Sequence, residues 1–209
     1  MQPSEPVLRK RRLTLAALAL LPAMAACSNE KVFRWEEEVT LSGGEALLLE
    51  RTTRFRKKGA PFNPLEIIWG EEDSSILVRA GPADLVGARF GLREWFIPVV
   101  IDRDPESRRL VLIATAFNCD WVQPYKGKNR SIYVAFELRP GAEAAAVDFP
   151  AWAWNRKRNL YLMSFDVPVP KRVTAEHARE HNATDARGTK RFFVVDPTVV
   201  APDCPGESK

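Results

Sequence analysis

Residues 95–117, WFIPVVIDRDPESRRLVLIATAF, decide the fold class of this 209-residue chain. Two apolar runs, residues 95–101 and 108–117, flank a polar cluster at residues 102–107 that contains a proline. Apolar runs of this length that are rich in β-branched residues favour strands, and polar clusters with a proline mark turns. The segment therefore predicts two neighbouring strands joined by a polar turn.

The chain from residue 33 onward repeats this pattern of short extended runs separated by Gly, Pro and polar residues. A second hairpin signal is the Ser42-Gly43-Gly44 turn between the runs at residues 33–41 and 46–56. Further strands are predicted at residues 65–69, 75–79, 131–138, 160–167 and 191–195, with a loop at residues 57–64.

Two further segments predict regular elements. Residues 131–138 alternate, which predicts a strand with one apolar face made of Ile132, Val134, Phe136 and Leu138. Residues 174–182 look helical, with Thr174 as the N-cap.

Strands at short spacing without alternating helices indicate an all-β fold, an antiparallel sandwich or partly open barrel with one short helix near the C-terminus. We expect a single β-rich domain over residues 33–200 and a C-terminal tail at residues 201–209.

The N-terminal segment has a different composition from the rest of the chain. A basic cluster at residues 9–12 precedes an apolar run at residues 13–21 and the sequence Met24-Ala25-Ala26-Cys27. This is the layout of a bacterial secretory signal peptide. It resembles the lipoprotein type, whose cleavage box is a large apolar residue, two small residues and a cysteine. The apolar run is about half of the roughly 20 residues that span a bilayer, so a spanning helix is not expected.

The resemblance implies that residues 1–26 are removed and that Cys27 becomes the lipid-carrying N-terminus, with residues 27–32 as anchor and short linker. The lipid makes the membrane a partner of the chain. Ser28 stands where an aspartate is the usual inner-membrane retention signal, so we expect an outer-membrane location facing the periplasm. Two alternatives stay open: ordinary cleavage after Ala25, which would release a soluble periplasmic protein, and twin-arginine export through Arg11-Arg12.

Residues 35–44, WEEEVTLSGG, resemble the opening of a set of short, uncharacterised lipoproteins of Gram-negative bacteria. The likeness covers the first predicted hairpin and implies no activity. We therefore expect a non-enzymatic envelope lipoprotein that binds an envelope protein or glycan. The competing hypothesis is a small metal-dependent or hydrolytic periplasmic enzyme.

The charge balance argues against nucleic acid as a partner. The whole chain has a formal net charge of +4. Residues 1–26 hold four of the basic residues and one acid, so the mature chain has a net charge of about +1. A nearly neutral domain lacks the general electrostatic footprint of a protein that binds phosphate backbones.

Once lipid occupies Cys27, two cysteines remain, Cys119 and Cys204. In an oxidising periplasm such a pair predicts a disulfide. The alternative is two unpaired thiols. Cys119 is not predicted to be a nucleophile, because a catalytic cysteine needs a histidine base close by.

Other chemical motifs are weaker. His177 and His181 have the helical spacing of a zinc pair, but their segment is polar all round, as in a surface helix. Asp102 and Asp104 form a carboxylate pair without a complete loop of calcium ligands. We therefore predict no catalytic residue, no metal site and no cofactor.

The aromatic and basic stretch at residues 149–161 is the best candidate for a binding surface. Its candidate residues are Trp152, Trp154, Arg156, Lys157 and Arg158. Exposed indoles beside cations suit sugar rings or anionic groups. The alternative, which we prefer, is a hairpin whose indoles are mostly buried on one strand face and whose basic triplet forms an exposed tip.

Overall fold

The computed structural model describes residues 29–60, 63–93, 96–116, 132–163, 168–184 and 194–198. Within these ranges the strands form two sheets. The strands of the first sheet are β1 (Glu30–Thr40), β2 (Ala46–Ala60), β3 (Asn63–Ala80), β4 (Arg89–Arg93) and β9 (Arg172–Val173). The strands of the second sheet are β5 (Phe96–Arg103), β6 (Leu110–Ala116), β7 (Tyr133–Leu138) and β8 (Ala145–Val147). The first sheet has the order β4-β3-β2-β1-β9 and the second has the order β5-β6-β7-β8.

The all-β prediction is confirmed, including the one short helix near the C-terminus, α1 (Ala175–Thr184). Neither sheet closes into a barrel. Neighbouring strands are antiparallel except β9, which pairs in parallel with two residues of β1. The arrangement is therefore an open, two-sheet architecture of the sandwich kind.

The principal core lies between the two sheets. Alternate residues of β1, β2 and β3 face alternate residues of β5, β6 and β7 because successive side chains of a strand point to opposite faces. Phe136 of β7 packs on Phe90 of β4 and Phe96 of β5, with ring centroids 5.0 and 5.8 Å apart. The cluster also includes Val39, Leu47, Leu49, Ile76, Val78, Ile101, Leu110, Leu112, Val134 and Leu138.

The hairpin predicted from residues 95–117 is formed by β5 and β6, which pair from Phe96↔Ala116 to Arg103↔Leu110. Its turn is stabilised by Asp104, whose Oδ1 accepts hydrogen bonds from the Ser107 backbone N–H and hydroxyl, at 2.7 and 2.9 Å. The polar residues of the cluster thus supply the turn's own hydrogen bonds.

The Gly-Gly hairpin is also confirmed. β1 and β2 pair without interruption from Glu30↔Arg56 to Thr40↔Ala46. Gly44 has a φ of 83°, a conformation that glycine adopts without steric cost. β1 begins at Glu30, three residues before the predicted start.

The loop predicted at residues 57–64 is wrong over its described part, and the strands predicted at residues 65–69 and 75–79 are found, but as parts of one longer strand. β2 continues to Ala60, and β3 is one strand from Asn63 to Ala80. The polar residues inside β3 do not break it because the strand pairs with β2 along its length and β-bulges absorb the irregular register.

The strand predicted at residues 160–167 is also wrong over its described part, because residues 160–163 form no strand. The predicted face of β7 is correct for Val134, Phe136 and Leu138, which lie in the principal core. Ile132 precedes the strand and packs on the other side of the second sheet. The described part of the strand predicted at residues 191–195 forms one isolated β-bridge, between Val194 and Lys157.

The inner face of the first sheet continues beyond the second sheet. There Glu37 of β1 and Arg51 of β2 form a buried ion pair of 2.7 Å. The Glu37 carboxylate also accepts hydrogen bonds from the Trp35 indole and the Tyr161 backbone N–H. Arg51 donates to the Tyr161 carbonyl at 2.9 Å. This cluster attaches the segment at residue 161 to the first sheet.

Candidate functional site

The basic triplet does not form a hairpin tip. Residues 151–153 form one 3-10 turn, and Asn155 then takes a left-handed φ of 63°, which turns the chain back over the second sheet. Arg156 is half-buried and Lys157 is exposed. Arg158 is buried, with 7 % of its surface exposed. The predicted exposed tip is therefore wrong for Arg158.

Arg158 is buried because it satisfies backbone carbonyls at an open sheet edge. β5 is the edge strand of its sheet, and Pro98 lies beside a bulge in it. The Arg158 guanidinium donates to the Pro98 carbonyl at 2.7 Å and to the Leu160 carbonyl at 2.5 Å. Asn159 completes the edge, since its side-chain amide donates to the Ile101 carbonyl and accepts from the Ile101 N–H.

The two indoles lie on the outer face of the second sheet rather than on a common strand face. Trp154 packs on Phe149, with ring centroids 4.2 Å apart. The Trp152 indole donates to Asp104 Oδ2 at 2.6 Å, and the Arg156 guanidinium lies 5.7 Å from its ring. Both indoles are half-buried. The structure therefore gives them a packing role and leaves part of each ring exposed.

Helix α1 faces residues 157–162, the segment that contains Arg158. The Thr174 hydroxyl accepts a hydrogen bond from the His177 N–H at 3.1 Å, which confirms the predicted N-cap. Asn182 fixes the other end, because its amide donates to the Leu160 carbonyl and accepts from the Leu162 N–H, at 3.0 and 3.2 Å. Asn182 thereby links the C-terminal end of the helix to the segment.

A cleft of about 850 Å³ opens between helix α1 and this segment. It is lined by Thr40, Lys157, Arg158, Asn159, Ala175, Glu176, Arg179, Asn182, Ala183 and Val194. Three of these residues are cationic and one is acidic. We call this opening the basic cleft.

The exposed charges of the basic cleft come from two separate elements. Lys157 belongs to the segment, whereas Arg179 and Glu176 belong to helix α1. The Arg179–Glu176 ion pair is 3.5 Å long and both side chains are more than two-thirds exposed, so it is weak. Arg158, Asn159 and Asn182 use their polar groups in the hydrogen bonds described above. The cleft therefore offers exposed cations over a floor that is fixed by structural hydrogen bonds.

No protein-family model, curated protein or solved structure matches the chain.

Two of the five candidate residues, Lys157 and Arg158, line the basic cleft, whereas Trp152, Trp154 and Arg156 do not. Arg179 and Glu176 were missed as candidates. Their i, i+3 spacing on a polar helix was the available signal, but the sequence does not show which helix face meets residues 157–159.

The weaker motifs have structural partners. Asp102 Oδ1 accepts hydrogen bonds from the Ser42 and Arg103 backbone N–H groups, at 3.0 and 2.8 Å. His181 packs on the Tyr161 ring at 4.4 Å, and its Nε2 lies 3.0 Å from the Leu162 carbonyl. Among the described residues, no three His, Cys, Asp or Glu side chains are grouped so as to hold a metal ion.

The three cysteines lie outside the described residues. The lipid on Cys27 and the disulfide between Cys119 and Cys204 therefore stay predictions. Over the described part of the chain, none of the helices has the length and apolar character needed to cross a bilayer.

Proposed function

We propose that this chain is a lipid-anchored lipoprotein of the bacterial envelope whose β-rich domain is a non-enzymatic binding module. The layout of residues 9–27 supports the anchor, since a basic cluster and a short apolar run precede a box that ends in Cys27. Several acyl chains on one cysteine provide stable anchoring, at about 0.8 kcal/mol per buried methylene. Ser28 favours the periplasmic face of the outer membrane.

The basic cleft is the proposed ligand site. The observation that supports it is that exposed cations from two elements, Lys157 from the segment and Arg179 from helix α1, line one opening. Its volume of about 850 Å³ lies within the range of roughly 300–1,000 Å³ that is usual for small-ligand sites. Lys157 and Arg179 are available to pair with carboxylate or phosphate groups, while Arg158 holds the floor in place. An acidic envelope glycan is therefore the proposed ligand class.

Binding by the unlipidated mature chain, carrying Cys27→Ser, tests this assignment. Calorimetry would compare a disaccharide that contains a uronic acid with a neutral disaccharide of the same size. We expect the acidic sugar to bind at least tenfold more tightly, with an affinity that falls as salt is added, because charge pairing near a surface is screened. Equal affinity for the two sugars would show that the ligand class is wrong.

Matched variants locate the site. Lys157→Glu and Arg179→Glu should each weaken binding of the acidic disaccharide about tenfold. Arg89→Glu reverses an exposed charge on β4, away from the cleft, and should change the affinity less than twofold. If the three variants bind alike, the ligand is held elsewhere on the domain.

A further inference from the structure

The hairpin of β2 and β3 extends beyond the ends of β1 and β4, the neighbouring strands in its sheet. β1 pairs with β2 only as far as Arg56, and β4 pairs with β3 only from Asp73 to Leu77. Beyond these points, among the described residues, β2 and β3 pair only with each other, from Lys57↔Trp69 to Ala60↔Asn63. We call residues 57–60 and 63–69 the arm.

The arm extends from the end of the sheet at which the N-terminus enters. Glu30, the first residue of β1, pairs with Arg56, and the Lys57 N–H donates to the Asn29 carbonyl at 2.9 Å. Cys27 lies only two residues before Asn29. The base of the arm is therefore next to the point where a lipid on Cys27 would enter the membrane.

Chain lengths show how far the arm reaches. Two residues span at most about 7 Å, so Cys27 lies within that distance of Asn29. From Lys57 to Ala60 the strand advances about 10 Å, at roughly 3.3 Å per residue. The arm consequently extends at least as far toward the membrane as the lipid-bearing residue does.

The composition of the arm suits a membrane surface. Lys57 and Lys58 lie opposite Trp69 and Ile68 in the register, and Glu66 is the one acidic residue of the arm. Lysines near a bilayer are attracted to anionic headgroups, and tryptophan is enriched at the membrane–water interface. Val32, on the neighbouring part of β1, is 48 % exposed and adds apolar surface at this end of the sheet.

We infer that the arm lies on the anionic phospholipid surface beside the lipid anchor and orients the domain on the membrane. This inference rests on the lipid anchor in the proposed function. Two independent contacts, the acyl chains and the arm, would hold the first sheet with its Ser42-Gly43-Gly44 end pointing away from the bilayer.

Vesicle binding by the mature chain with Cys27→Ser tests the arm without the lipid. Cosedimentation would use vesicles of phosphatidylglycerol with phosphatidylethanolamine, and vesicles of phosphatidylcholine alone. We expect the chain to partition at least fivefold more strongly onto the anionic vesicles. The double variant Lys57→Glu, Lys58→Glu and the single variant Trp69→Ser should each reduce that partitioning at least fivefold.

The control double variant, Arg89→Glu, Lys171→Glu, makes the same change of charge on exposed residues outside the arm and should bind like the parent chain. A cooperative thermal melt of each variant establishes that it is folded. Equal binding by arm and control variants, loss of binding in Lys157→Glu instead, or no preference for anionic vesicles would each overturn the inference. The mass of the N-terminal residue of the native protein tests the anchor separately, so failure of the anchor and failure of the arm give different results.

Discussion

At the scale of single residues, Arg158 and Lys157 are adjacent cations with opposite environments. Arg158 donates to the Pro98 carbonyl at the β5 edge and to the Leu160 carbonyl, whereas Lys157 is exposed at the basic cleft. A buried acceptor that loses its donor costs about 1–3 kcal/mol. We therefore expect Arg158→Ala to lower the free energy of unfolding by about 2–4 kcal/mol, measured by urea denaturation.

Lys157→Ala is the matched control, because exposed substitutions usually change stability by about 0.5 kcal/mol or less. Similar denaturation midpoints for the two variants would mean that Arg158 does not hold the β5 edge.

Asp104 provides a pH-dependent contribution to stability. Hydrogen bonds from the Ser107 backbone N–H, and then from the Ser107 hydroxyl and the Trp152 indole, lower the pKa of this carboxyl below its ordinary value of 3.8 despite an opposing effect of burial. The unfolded chain therefore takes up a proton at higher pH than the folded chain does. The contribution is complete above about pH 5 and is lost as the pH falls through the lowered pKa.

We expect Asp104→Asn to remove this part of the acid dependence, so that the parent chain and the variant converge in stability as the pH falls from 5 to 2. Denaturation at each pH measures this difference in stability between the parent chain and the variant. Glu176→Gln, at an exposed helix position, should leave the acid dependence of the parent chain in place. A constant stability difference between Asp104→Asn and the parent chain over this range would contradict the assignment.

At the scale of elements, the Glu37–Arg51 pair joins β1 and β2 to the segment at Tyr161. Its two side chains are 0 % and 3 % exposed, and Arg51 Nε has no hydrogen-bond partner among the residues that the structure describes. A buried charge that loses its partner costs about 3–5 kcal/mol, while an apolar replacement of both members is often nearly neutral. We expect Arg51→Met to destabilise the fold by about 3–5 kcal/mol and Glu37→Met, Arg51→Met to destabilise it less.

Arg79→Met serves as the control for this experiment, because Arg79 forms an exposed ion pair with Glu50 on the same sheet and should contribute less than about 1 kcal/mol. Urea denaturation of the three variants measures the differences. A double variant that is less stable than Arg51→Met would mean that the pair itself, rather than the stranded carboxylate, supplies the stability.

Elements with local sequence signals could be predicted, whereas features that depend on distant pairing could not. The two hairpins at Ser42-Gly43-Gly44 and at residues 102–107 are specified by turn residues and β-branched runs within a few positions. The cap at Thr174 is equally local. The continuity of β3 depends on pairing with β2, so the polar residues inside it look like a break in the sequence alone.

The buried Arg158 had no local signal. Its partners at Pro98 and Leu160 include an edge strand 60 residues away along the chain, and basic triplets are usually solvated. The basic cleft was found only in part for the same reason, because Lys157 and Arg179 are brought together by hydrogen bonds between segments that are distant in sequence.

At the scale of the whole molecule, we propose a lipid at Cys27, the arm beside it, and the basic cleft on the domain that they hold. Each of these features is tested separately, but the orientation and the proposed location both depend on the lipid. The modification of Cys27 is therefore the central claim.

Mass spectrometry of the N-terminal peptide of the native protein tests this claim most directly. We predict a mature chain that begins at Cys27, with a diacylglycerol on the thiol and an acyl group on the amine. A Cys27→Ala variant should leave the signal peptide uncleaved or the chain unlipidated. An unmodified N-terminal peptide that begins at Ala26 or Cys27 in the native protein would contradict the account.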